Sequence, residues 1–90
     1  MSEELENPIK KMRIRHGLTL AKASMAWGVH RSTIVSLEEG NNKKISDRTL
    51  SQLADALIDD QDERDGWTQD LASSYVAWRN QEMRNARIEK

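Results

Sequence analysis

Glycines at 17, 28 and 40 divide the run GLTLAKASMAWGVHRSTIVSLEEG, residues 17–40, into two short helical stretches with a tight turn between them. Gly17 closes a preceding segment, Gly28 sits where the chain reverses, and Gly40 ends the second stretch; glycine takes the left-handed backbone at such points at little steric cost. The spacing predicts one helix capped by Thr19 and running through Trp27, and another beginning near His30 or Arg31. Ala23, Trp27, Val29, Ile34 and Leu37 form the inward faces of the pair and of its turn. Ser24 falls where the helices cross, where a small side chain permits close approach, so Ser24→Leu is expected to splay or unfold the unit. The other side of the second helix carries Arg31, Ser32, Val35 and Ser36. Anchored from behind and polar in front, that helix is built to meet something outside the chain.

The flanking segments read as further helices. Asn7-Pro8 opens one, with Asn as N-cap and Pro at the first helical position, and Ile9 and Met12 share its inner face. Arg13, Arg15 and His16 place positive charge in its last turn, where the helix dipole favours it. Asn41 to Lys44 is a loop. Ser46 or Asp47 caps a fourth helix, whose Leu50, Leu53, Ala54 and Leu57 make a buried stripe. Nothing alternates with period two, so no strands are expected. The acidic stretch DDQDERD, residues 59–65, reads as a composition break and a joint. A long helix is expected beyond it, from about Gly66 to Ile88, and as one piece it would span ~35 Å. Trp67, Leu71, Tyr75 and Trp78 recur along it at helical spacing, and Ala72, Val76, Met83 and Ala86 widen the stripe. The expected fold is all-α: a four- to five-helix domain over residues 1–60 and a helical extension over 61–90.

Charge and composition exclude several function classes. The chain has no cysteine, so disulfides and cysteine-ligated zinc are ruled out. His16 and His30 are isolated, and no metal site or other cofactor is expected. No apolar run approaches the roughly 20 residues a bilayer requires. The start MSEELENP is acidic, unlike a secretory signal, so a cytoplasmic protein without membrane contact is expected. Ser32, Ser36, His16 and His30 offer nucleophile-like and base-like groups, but no pattern orients them, and a convex helix face suits chemistry poorly. No catalytic residues and no enzyme are expected. The net charge of −1 hides a strong partition: residues 1–8 carry −3, 9–50 carry +6, 51–70 carry −6 and 71–90 carry +2. The basic block coincides with the two-helix unit. Screening within about 10 Å lets such a face act despite distant acids.

The residues GLT at 17–19, GV at 28–29, RSTI at 31–34, LEEG at 37–40 and LSQLADAL at 50–57 give this chain a specific resemblance. It resembles the lambda-repressor-like, XRE/Cro–CI family of helix-turn-helix DNA-binding proteins, in register from about Ile9 to Leu57. The resemblance implies that the helix starting near His30 enters the major groove of double-stranded DNA. It implies base contacts by Arg31, Ser32 and Ser36, with His30 at the turn's end near bases or phosphate. Val35 would be placed to meet a thymine methyl. Arginine can hold guanine O6 and N7 in a two-pronged bond, so base preference should rest mainly on Arg31. Phosphate contacts are implied for Lys43 and Lys44 in the loop. Thr19 and Lys22 are placed for phosphate at a helix N-terminus, with Arg15 and Arg48 as weaker candidates. Arg13 and Glu38 match an ion pair that ties the first helix to the third.

The chain also departs from that family. Leu20 stands where glutamine usually touches phosphate. A small Ala23 faces an enlarged Trp27, which reads as volume compensation. Ile45 occupies the neighbourhood of an expected proline, and Glu39 lies on the side where phosphate would repel it.

Three readings are open for the C-terminal helix. Trp67 and Leu71 could cap the core. Tyr75, Trp78 and Met83 could instead form a homodimer seam, the reading preferred here, since a dimer reads two half-sites. A projecting tail could bring Arg79, Arg84 and Arg87 to DNA flanks. The implied role is a small transcriptional repressor acting by operator occupancy. The alternatives are an antitoxin-type autoregulator and a protein-binding module holding a protein partner through the C-terminal helix.

Overall fold

The computed structural model describes residues 5–88, the side chains of 86–88 excepted. It holds five helices: α1 (Pro8–Arg15), α2 (Leu20–Trp27), α3 (Arg31–Glu39), α4 (Asp47–Leu57) and α5 (Gln61–Ile88). No strand occurs among the described residues. The architecture is the expected all-α one, with the helix-turn-helix pair α2–α3 inside a frame of α1, α4 and a long C-terminal α5.

Local chemistry starts each helix. The Asn7 side chain accepts the N–H groups of Ile9 and Lys10, and Pro8 supplies a first-turn residue that needs no donor. Thr19 accepts from Lys22 N–H, and Ser46 from Thr49 N–H. Gly28 and Gly40 end α2 and α3 in the left-handed conformation, at φ 65° and 74°. At Gly40 the chain adds a second restriction. A Cβ built there would lie 3.1 Å from two ring carbons of Trp78 on α5.

The joint expected over 59–65 shrinks to Asp59 and Asp60, and α5 begins at Gln61 rather than near Gly66. Asp60 Oδ1 accepts the Asp62 N–H at 2.9 Å, and Asp62 and Glu63 lie in the first turn. Acids there complement the positive end of the helix dipole, so the acidic cluster begins a helix instead of interrupting one. Gly66 is simply an interior position of α5. The Arg64 guanidinium donates to Asp55 on α4 and fastens the corner.

One core joins all five elements. Ile9, Ala23, Trp27, Val29, Ile34, Leu37, Ile45, Leu53, Leu71, Tyr75 and Trp78 are buried together. α2 packs on α3 and α4, α1 on α3 and α5, and α5 also on α4. Ala23 and Trp27 are both buried, the small residue beside the large one. Leu20 is half-buried against the core, so an apolar residue there serves packing. Ile45 is buried in the same cluster. Ser24 does more than stay small: its hydroxyl donates to the Val29 carbonyl at 2.6 Å and closes the turn between α2 and α3.

The extension is part of this core. Tyr75 is 0% exposed and Trp78 9% exposed, both within their own chain. Their rings lie 5.8 Å apart between centroids, tilted by 43°. The expected homodimer seam of Tyr75, Trp78 and Met83 is thereby corrected for its two aromatic members. Their faces are covered by the chain itself and offer nothing to a symmetry mate. Met83 is 46% exposed. The projecting-tail reading is corrected for Arg79, which donates to the Gly40 carbonyl, and Gln81 accepts the Leu5 N–H, while Arg84 is exposed. Trp67 is half-buried and Leu71 buried, as core-capping requires. The side chains of Ala86 and Arg87 and the acidic residues Glu3 and Glu4 lie outside the described residues.

Candidate nucleic-acid interface

α3 is amphipathic in the sense its sequence implies. Ile34 and Leu37 are buried. His30, Arg31 and Ser32 are exposed, and Val35 and Ser36 are half-buried on the outward side. Thus the five residues expected at bases cluster around the first two turns of one helix, and none is smothered by the chain.

The start of α3 is organised by His30. Its Nδ1 accepts the Ser32 N–H at 3.2 Å and lies 2.7 Å from the Ser32 hydroxyl. An accepting Nδ1 leaves the ring proton on Nε2. His30 therefore caps the helix and presents only an Nε2–H donor outward. The Ser32 hydroxyl lies within hydrogen-bond distance of the same nitrogen and is exposed. Sequence reasoning placed His30 at the turn's end but missed this capping role; its signal was position alone, since histidine is not among the favoured caps.

The other end of α3 is tied to two elements. Arg13 on α1 meets Glu38 through two parallel bonds, Nε to Oε2 at 2.8 Å and a terminal nitrogen to Oε1 at 3.0 Å. Arg13 also donates to the Leu18 carbonyl at 2.9 Å. Only 16% of the Arg13 side chain and 11% of the Glu38 side chain are exposed. The hydrogen bond to Glu38 lifts the Arg13 guanidinium above its ordinary range; desolvation opposes this, and the carboxylate's charge adds to it. Three of the five Arg13 N–H groups are thus engaged within the chain and the side chain is mostly covered, which fits a structural pair. Asn7 adds a second clasp, its Nδ2 donating to the carbonyls of Leu37 and Glu38 at 2.9 and 3.1 Å. This was missed in the sequence, where Asn7 reads only as a cap.

Lys22, Lys43, Lys44, Arg15 and Arg48 are all exposed, as is Thr19. The Thr19 hydroxyl already serves the N-terminus of α2 as its cap acceptor. Glu39 is exposed at the same end and accepts from the Asn41 side chain at 3.1 Å, which holds its carboxylate against the loop.

The loop that carries Lys43 and Lys44 is gripped from below. Tyr75 on α5 donates its hydroxyl to the Asn42 carbonyl at 2.7 Å, and Arg79 Nε donates to the Gly40 carbonyl at 2.9 Å. Burial pushes the Tyr75 phenol up from its usual range, against the charge of Arg79 and the bond to Asn42. No periodicity in the sequence signals these contacts.

The described residues hold no cluster of His, Cys, Asp or Glu suited to a metal ion, and no helix among them is long and apolar enough to cross a membrane. Neither the curated proteins nor the solved structures compared with the chain include a match. A family model described as helix-turn-helix matches residues 9–58, more than half of the chain, from the second residue of α1 through α4. With that match, the capped α2–α3 pair and the solvent-facing side of α3, this chain belongs to the lambda-repressor-like, XRE/Cro–CI helix-turn-helix family of DNA-binding regulators.

Proposed function

We propose that this protein is a sequence-specific double-stranded DNA-binding regulator of transcription that represses by occupying an operator in the cytoplasm. The observation that carries the reading is the exposure of Arg31 and Ser32 on α3 over the buried Ile34 and Leu37, together with the exposed cations Lys22, Lys43 and Lys44 on the flanking segments. A helix so mounted can enter a major groove while those cations meet the flanking phosphates. Arg31 reads guanine through its planar fork. Ser32 presents its exposed hydroxyl to a base edge as a permissive polar contact. Val35 adds an apolar contact and Ser36 a permissive polar one. Arg15, Arg48 and Thr19 extend the phosphate contacts.

A homodimer belongs to the proposal, since one such module spans few base pairs and two-fold pairing doubles the footprint. Its seam must use surface other than Tyr75 and Trp78. Selection from a random duplex pool tests both parts: a recovered motif containing guanine supports the reading, and inverted repeats of it support the dimer. A pool that returns no enriched sequence would refute sequence-specific binding.

A further inference from the structure

We infer that α5 is a positioning element for DNA binding: Tyr75 and Arg79, with the ring of Trp78 between them, hold the Gly40–Lys44 loop in the shape that delivers Lys43 and Lys44 to phosphates. The inference rests on the proposed function and assigns a task to residues outside the matched family span, which ends at residue 58.

The three side chains stand at helical positions i, i+3 and i+4, so they share one face of α5. Each reaches a different point of the loop's base. The Arg79 bond takes the Gly40 carbonyl, the Trp78 ring fills the space beside the Gly40 α-carbon, and the Tyr75 hydroxyl takes the Asn42 carbonyl. The Asn42 carbonyl directly precedes Lys43, and the Gly40 carbonyl lies two residues earlier at the loop's start. Asn42 is half-buried, while Lys43 and Lys44 are exposed, so a fixed root carries the cationic tips. An unrestrained loop would lose backbone freedom on meeting a duplex, at about 1–2 kcal/mol per residue fixed. Restraint within the free protein removes part of that penalty before binding. Tyr75 is buried and the Arg79 Nε–H is engaged with Gly40, so these two bonds act through the loop.

The test is a cycle of variants titrated against a random-sequence duplex over a range of salt concentrations, with thermal melts of each protein. Tyr75→Phe keeps the ring in the core and removes only the hydroxyl. It is expected to weaken binding about 2–10-fold, the worth of one lost hydrogen bond, with the protein folded at the titration temperature. Lys43→Ala with Lys44→Ala should weaken binding to every sequence and lower the salt slope by about two. In that background Tyr75→Phe should have no further effect on affinity. Arg79→Lys keeps the charge but loses the Nε–H donor, and it should weaken binding as Tyr75→Phe does.

Wild-type affinity and salt slope in both Tyr75→Phe and Arg79→Lys would overturn the inference, and so would a Tyr75→Phe loss that persists undiminished without the two lysines. An unaltered slope in the double lysine variant would overturn the loop's phosphate role, and the inference with it, while DNA binding itself stood. Absence of any duplex binding by the wild-type chain would instead remove the proposed function as a whole.

Discussion

The two ends of α3 are held in opposite ways. At its N-terminal end, the His30 ring meets only Ser32 among the described side chains, and Arg31 is exposed. At its C-terminal end, Asn7 and Arg13 reach in from α1, while Trp78 and Arg79 close on Gly40 from α5. One end is fastened by side chains of α1 and α5, and the other, joined to α2 through its turn, keeps His30, Arg31 and Ser32 exposed. A helix mounted in this way keeps its orientation while the residues at its open end can change. Under the proposed function, stability and recognition would reside in different turns of the same short helix.

Substitutions at the two ends can break or sharpen that contrast. The largest effect is expected for Trp78→Ala, which empties the space beside Gly40 and should cost about 3–5 kcal/mol in urea unfolding. A loss under 1 kcal/mol would mean that α5 contributes little to the fastened end. Asn7→Ala removes the cap of α1 and leaves the Leu37 and Glu38 carbonyls without their donor, for an expected loss of about 2–3 kcal/mol. Arg13→Met leaves Glu38 mostly buried and unpaired, and about 1–3 kcal/mol should be lost in thermal or chemical denaturation. DNA affinity measured well below the melting temperature should change little. Weaker DNA binding with an unchanged melting temperature would instead make Arg13 a phosphate contact. The smallest effect on stability belongs to Arg31→Ala, within about 0.5 kcal/mol. That variant should nonetheless flatten base preference at one position per half-site, by about 1–3 kcal/mol. Unchanged preference in a repeated pool selection would remove Arg31 from the reading surface.

The exposed end was more legible in the sequence than the fastened one, and the reason is range. Helix caps act across two or three residues, so Asn7, Thr19 and Ser46 announce α1, α2 and α4 directly. The buried stripe of α4 and the inward set Ala23, Trp27, Ile34 and Leu37 follow from spacing alone. The start of α5 was misplaced because an acidic cluster can mean a break or a helix N-terminus, and charge density does not distinguish them. Periodicity announced that Tyr75 and Trp78 are covered but not by what. Their partners lie at Gly40 and Asn42, and the Tyr75 bond spans 33 residues. Arg79 looked like a tail cation for the same reason. At the candidate site, the outward set His30, Arg31, Ser32, Val35 and Ser36 was legible from helical geometry and resemblance. The tautomer-fixing bond at His30 was not, since it depends on side-chain rotation.

The contact between Gly40 and Trp78 makes those two positions a matched pair in volume. An alanine at 40 must displace the indole or leave the left-handed turn, whereas a smaller ring at 78 would open space for a methyl group but leave the turn's strain in place. Drift or redesign at either site is therefore confined by the other, and a C-terminal helix borrowed from elsewhere would have to bring a side chain of compatible size to this one spot.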